Sequence, residues 1–305
     1  MPSRSLHQAW TGSVVTERQA DAEPQAASAR AGGSVCPALE LRDVTKVFRL
    51  ESGQRVTAVD HLSLTIDPRE FVCIVGPSGH GKSTLLNLIA GFTAPTSGRI
   101  MCRGQPVTGP GSDRGVVFQA DTLFMWRRVA ENIAYGLKAR HVPRPEREAT
   151  VTRLLEVVGL TQFARAWPKQ LSGGMRRRVA LAAVFANEPE VLLMDEPFTG
   201  LDYARRAALH QVLVHLWRST RNTVCFVTHD VEEALTLANR IVVMVRGRVV
   251  EDLRLTEPPP RDPQTLLNKQ VKDVRFAVLE HLKAAVNDVE TDQVSPEMLG
   301  PGSSA

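Results

Sequence analysis

An apolar run, Phe71-Val72-Cys73-Ile74-Val75, leads directly into Gly76-Pro77-Ser78-Gly79-His80-Gly81-Lys82-Ser83-Thr84 and then into an apolar stretch ending at Ala90. A continuous apolar strand is one covered on both faces, as in a parallel sheet. A glycine-rich loop between such a strand and a helix lets backbone N–H groups converge on an anion at the helix N-terminus. Strand, loop and helix together predict a phosphate cradle over Gly76–Thr84. Within it Lys82 is placed to neutralise β- and γ-phosphate oxygens, and the Ser83 hydroxyl to ligate Mg²⁺. His80 fills a variable position and is expected to contribute its backbone N–H rather than its ring.

Two further features fit that reading. Val191-Leu192-Leu193-Met194 is a second apolar strand, closing in Asp195-Glu196. Asp195 can reach the metal shell, and Glu196, one residue on, can polarise an attacking water as general base. Adjacent carboxylates at a strand end also suit a solvated loop, but a phosphate loop upstream argues for the chemical role. Between the two strands lies Leu171-Ser172-Gly173-Gly174-Met175, which opens a helix. Its N–H groups and helix dipole suit an anion, although it belongs to a different part of the chain from the phosphate loop.

The remainder of the 305 residues supplies the frame. Residues 1–36 are rich in Ala, Ser, Gln and Gly and are expected to be disordered; they contain no secretory h-region. Leu39–Val47 and Ala58–Ile66 alternate apolar and polar residues, as half-buried antiparallel strands around Glu51-Ser52-Gly53. The segment from Asp121 to Glu188 reads mostly helical. In it Val151, Leu154, Leu155 and Val158 form an amphipathic stripe that ends at Gly159. Strands return at Val191–Met194, Val224–Val227 and Ile241–Val245. Pro258-Pro259-Pro260 stops the domain, and Leu266–Val286 reads as one more helix.

Composition excludes several classes. No stretch approaches the eighteen uncharged apolar residues of a membrane span; Arg246 and Arg248 interrupt the best candidate, Ile241–Val250. The four cysteines have no metal-like spacing and read as small hydrophobes. A net charge of +4 is mild, and no aromatic-interleaved basic stretch is present, so no nucleic-acid partner is expected. Arg176-Arg177-Arg178 opens an expected helix, and most of it reads as solvated surface or ion pairing.

The phosphate loop, the Leu-Ser-Gly-Gly run and the acidic strand, in that order, resemble the ATP-binding subunit of an ABC transporter. The resemblance covers residues 38 to about 256. It implies an α/β fold: a P-loop NTPase core with an antiparallel β subdomain and an inserted α-helical subdomain at about 120–188. The ATPase domain then spans 37–256, followed by a C-terminal extension, 257–305. It further implies ATP and Mg²⁺ as cofactors, with Phe48 stacking on adenine. Gln119, in Gly115-Val116-Val117-Phe118-Gln119, would sit between the lobes and touch metal and water. His229, in Val-Thr-His-Asp, would contact the γ-phosphate. Asp202 would belong to a loop coupling two active sites. Ser172, Gly173 and Gly174 would bind the γ-phosphate of an ATP held by a second copy, in a head-to-tail homodimer. Met175 replaces a Gln common there, but leaves the backbone donors intact.

Gly109–Gln119, Trp126-Arg127 and Glu131-Asn132-Ile133 look like the nitrate/sulfonate/taurine importer group, from which Met125 departs in place of proline. That group implies a separate transmembrane permease, a periplasmic or surface solute-binding protein acting indirectly, and a place on the cytoplasmic face of the inner membrane. The rival reading is a soluble ABC ATPase in a non-transport process. Such proteins usually carry two fused cassettes or a long coiled-coil insertion, and this chain has neither.

Overall fold

The computed structural model describes residues 36–120, 122–220 and 222–293, with side chains to Ala285. The expected disorder of the N-terminal segment lies almost wholly outside the described residues. Two sheets organise the rest. The first is antiparallel and four-stranded: β1 (Leu39–Arg49), β2 (Arg55–Ile66), β4 (Ser97–Cys102) and β5 (Gln105–Pro106), in the order β2-β1-β4-β5. The second is six-stranded and contains β3 (Phe71–Val75), β6 (Arg114–Val117), β7 (Val191–Asp195), β8 (Thr223–Thr228), β9 (Arg240–Val245) and β10 (Arg248–Arg254). Its order is β10-β9-β3-β8-β7-β6; β10 is antiparallel to β9 and all other neighbours run parallel.

Alternation along the parallel strands feeds two separate cores. Phe71, Cys73 and Val75 of β3 enter one core, Val72 and Ile74 the other. The same division holds in β8, with Val224 and Phe226 against Cys225 and Val227. Register keeps like with like, since Phe71 pairs with Val224 and Cys73 with Phe226. This is why the strands read as unbroken apolar runs: each residue is buried whichever way it points.

One core lies between the six-stranded sheet, the antiparallel sheet and α1 (Lys82–Ala90), to which Leu39, Leu41, Ile66, Leu85, Leu88 and Ile89 contribute. The other extends to the helices on the opposite face. These are α2 (Val129–Ala139), α3 (Arg144–Val157), α4 (Gly173–Phe185), α5 (Tyr203–Thr220), α6 (Val231–Leu237) and α7 (Lys269–Gln293). The sequence stripe Val151-Leu154-Leu155 is the buried face of α3, and Gly159 adopts φ +68° just beyond its end. Ile241–Val250 is not one segment but a hairpin, turned at Arg246 and Gly247 with positive φ. No helix among the described residues is long and apolar enough to cross a membrane.

Phe226 sits at the centre of the helix-side core, fully buried, with Phe71 and Phe198 ring centroids at 6.0 and 5.8 Å. Phe226→Ala is expected to cost about 3–5 kcal/mol of folding stability, measured by chemical denaturation, since the cavity cannot collapse between two sheet strands and a helix layer.

Candidate nucleotide site

Four adjacent parallel strands each deliver one element of the site from their carboxyl ends. β3 leads into the phosphate loop, β8 into His229, β7 into Glu196 and β6 into Gln119. An open α/β sheet binds ligands in this position, beyond the carboxyl edge, because loops there are free to vary while strands are not.

The loop Gly76–Gly81 is held at its two ends by close backbone contacts that tolerate no side chain there. A Cβ on Gly76 would lie 2.1 Å from the Met244 carbonyl oxygen, and one on Gly81, at φ +94°, 2.0 Å from that of Ala58. His80 ties the loop to the β9–β10 turn. Its Nδ1 accepts from the Arg246 N–H at 3.1 Å and its carbonyl from the Gly247 N–H at 3.1 Å. The ring is therefore neutral with Nδ1 bare, and burial, with the charges of Lys82 and Arg246, holds its pKa below the ordinary value.

Lys82 is buried at the first turn of α1, its ammonium donating to the Gly76 and Pro77 carbonyls, each at 2.8 Å. Burial lowers its pKa, and the nearby Glu196 and Asp195 carboxylates oppose that shift. The Ser83 hydroxyl donates to Asp195 Oδ1 at 3.0 Å. Burial raises the Asp195 pKa, and the Ser83 bond counters it. Glu196 has φ +42°, an uncommon backbone conformation that turns the chain out of β7. Its Oε2 meets His229 Nδ1 at 2.9 Å and accepts from the Thr199 hydroxyl at 3.0 Å. Lys82, Ser83, Asp195, Glu196 and His229 thus form one cluster.

The other candidate residues stand apart; among the described residues no hydrogen bond joins Phe48, Asp202 or Ser172–Gly174 to it. Phe48 is 40% exposed on β1, and the Lys46 ammonium lies 5.1 Å from its ring centroid. Asp202 accepts from the Arg205 N–H at 2.9 Å, at the start of α5. Ser172 caps α4, its hydroxyl accepting from the Met175 N–H at 3.3 Å. A Cβ on Gly174 would meet nothing within 4 Å, and one on Gly173 only the tip of Arg176 at 3.8 Å. Among the described residues no contact requires those two glycines.

Arg177 departs from the solvated reading of most of the basic triple: it is 7% exposed, and its guanidinium donates to the carbonyls of Phe118, at 2.7 Å, and Gln119. It fastens α4, which Ser172 caps, to the segment carrying Gln119. Helical spacing held the clue, because Arg177 shares a face with the buried Ala180 and Leu181.

Known proteins similar to this chain bear on its family. A family model described as "ABC transporter" matches residues 59–199. The nitrate import ATP-binding protein NrtD of a Synechocystis species is 42% identical over 259 residues, covering 84% of this chain and 97% of that protein. The taurine import ATP-binding protein TauB of Rhizobium johnstonii is 48% identical over 214 residues, covering 70% and 82%. This chain belongs to the ABC transporter ATP-binding family. A dimeric post-hydrolysis state of the ATP-binding cassette MJ0796, bound to ADP and Pi, superposes with a TM-score of 0.64 at 31% identity, covering 72% of this chain and all of that one. As a member, the chain is an ATP-binding ATPase with the ABC cassette fold, as the sequence resemblance implied.

The depressed His80 pKa carries a sign. A histidine held below its ordinary value of 6.5 binds a proton more readily unfolded, so it costs stability as pH falls below 6.5. His80→Asn keeps a side-chain acceptor without the titration. The loss of thermal stability between about pH 7.5 and pH 5.5 is expected to be smaller in that variant, read from melting curves at each pH.

Proposed function

We propose that this chain hydrolyses ATP to power solute import through a separate membrane permease, in a system akin to those of nitrate, sulfonates or taurine. The observation that carries the chemistry is the cluster at the sheet's carboxyl edge, where a buried ammonium, a hydroxyl–carboxylate pair and a carboxylate–imidazole pair converge. Lys82 and the N–H groups of Gly76–Thr84 bind the β- and γ-phosphates, and Phe48 stacks on adenine. Glu196 takes the proton of a water whose oxygen attacks the γ-phosphorus while the bond to the ADP oxygen breaks. His229 orients Glu196 and contacts the γ-phosphate.

The donor set fits Mg²⁺. Ser83 and Asp195 offer hard oxygens 3.0 Å apart, and Gln119 adds an amide oxygen from the neighbouring strand end. When bound with nucleotide, the ion would neutralise charge on the β- and γ-phosphate oxygens.

Ser172, Gly173 and Gly174 gain a use in a second copy of the chain. Exposed N–H groups at a helix start, with open space above both glycines, suit the γ-phosphate of an ATP held by the partner's Lys82. Two ATP molecules then bridge a head-to-tail homodimer. Closure depends on contacts that exist only while the γ-phosphate is attached, and hydrolysis releases them. Asp202 lies in the loop that couples the two sites.

The permease is assigned to the face beside Gln119. A groove of about 380 Å³ there is lined by Leu123, Phe124, Tyr135 and Val184 among others. Trp126 is 72% exposed, its ring centroid 5.5 Å from that of Phe124. Apolar and aromatic groups in a groove suit a helix of a membrane partner. The chain would then work at the cytoplasmic face of the membrane, with a solute-binding protein outside it choosing the cargo.

Two measurements test this reading. Glu196→Gln is expected to abolish turnover, a loss of at least about a hundredfold, while trapping an ATP-bound dimer visible by size-exclusion chromatography. Turnover near the wild-type rate in that variant would refute the assignment of the base. Affinity capture from mildly solubilised native membranes should recover a multi-span permease. Recovery of ribosomal or DNA-associated partners alone would favour a soluble, non-transport ABC ATPase.

A further inference from the structure

The segment Thr199–Asp202, which follows the acidic strand, is tied at both ends to the reacting groups. At its start the Thr199 hydroxyl donates to Glu196 Oε2 at 3.0 Å. At its end stands Arg206, in the first turn of α5. Arg206 Nη2 donates to the Leu201 carbonyl at 3.3 Å, and Nη1 pairs with Asp230 Oδ2.

Asp230 directly follows His229. Its Oδ1 caps α6 by accepting from the Glu232 N–H at 2.9 Å, and its own N–H donates to Thr228 Oγ1 at 3.0 Å. Thr228 in turn donates to Glu233 Oε2 at 2.6 Å. The residues on both sides of His229 are therefore fixed, and the connection outward from Asp230 to α5 runs through Arg206.

A second observation concerns the remaining oxygen of Glu233. Arg206 Nε and His210 Nε2 are buried nitrogens without a hydrogen-bond partner. They lie 3.7 and 3.5 Å from the same atom, Glu233 Oε1. Glu233 is itself 5% exposed, so no bulk water satisfies these groups. Buried polar atoms left unpaired are costly. Here a shift of α5 toward α6 by less than about an ångström brings them within hydrogen-bond reach. In the structure both nitrogens stand at ion-pair distance from Glu233 Oε1, just short of hydrogen bonding.

We propose that Arg206 is a positioning residue that couples the Thr199–Asp202 segment to the His229 loop. Movement of that segment carries α5, and Arg206 passes the movement to Asp230 and so to the imidazole that faces Glu196. Closing the gap to Glu233 Oε1 holds the shifted position. Arg206 does not touch the reacting atoms. The inference rests on the reading of Glu196 and His229 as the groups that act on ATP.

Arg206→Met removes both bridges, whereas Arg206→Lys keeps a cation but not the fork that spans Leu201 and Asp230 at once. In full-length protein, Arg206→Met is expected to lower kcat about tenfold with KM for ATP within about twofold, and Arg206→Lys to recover part of the loss. Asp230→Asn should lower kcat similarly. The Arg206→Met/Asp230→Asn double variant should be no slower than the slower single one, because the two residues act through one contact. Wild-type kcat in both Arg206 variants overturns the proposal, as does multiplication of the two single losses in the double variant. If Arg206→Met does not fold, Arg206→Lys decides: a reduced kcat at unchanged KM and melting temperature supports the coupling, and a wild-type kcat leaves Arg206 a packing role only. Glu196→Gln, assayed alongside, separates the two claims. An active Glu196→Gln refutes the assigned base, whereas an inactive Glu196→Gln beside a fully active Arg206→Met refutes the coupling alone.

Discussion

The parallel pairing of β3, β8, β7 and β6 is the constraint on which the remaining structure depends. Each strand ends at the same edge of the sheet, and each hands the chain to a segment bearing one part of the chemistry. Groups far apart in sequence, Lys82, Glu196 and His229, meet because backbone ladders fix four strand ends side by side. The cores on either face make that alignment rigid, since every residue of β3, and Val224 to Val227 of β8, is packed on one side or the other. Side-chain chemistry is therefore placed by backbone hydrogen bonding and apolar burial, before any polar contact within the cluster forms.

Electrostatics within the cluster follow from that placement. Lys82 is desolvated and, among the described residues, is met by two carbonyls and the field of two carboxylates. A triphosphate offers the charge such an ammonium lacks. Asp195, raised by burial, similarly gains from a cation next to it. The cluster thus sets a desolvated ammonium beside two carboxylates, a charge pattern that a polyanion complements.

Much of this was legible in the sequence, and the exceptions have identifiable causes. Apolar runs such as Phe71–Val75 and Val191–Met194 marked the central strands because both faces are covered. Strands β4, β6 and β10 gave weaker signals. β6 has four residues and opens with Arg-Gly, and β10 alternates only between partial and full exposure. The phosphate loop was readable because glycine is demanded by contact with Met244 and Ala58 carbonyls. Arg177 was not, since a charged triple looks alike whether its middle member faces water or two backbone carbonyls. The contacts of Arg206 were equally hidden: its partners, Leu201 and Asp230, come from different loops and meet it only in three dimensions.

The two-sided burial of β3 also bears on how a chain like this can change over evolutionary time. Removing one residue from Phe71–Val75 would exchange the side chains offered to the two cores and draw the phosphate loop back by ~3.3 Å. Substitution within the strand alters packing locally, whereas an insertion or deletion corrupts both faces and the strand end together. Length variation is thereby channelled into connections away from the carboxyl edge, such as residues 107–113 between β5 and β6. Lineages of this chain can then drift far in sequence while the spacing from strand to phosphate loop stays invariant.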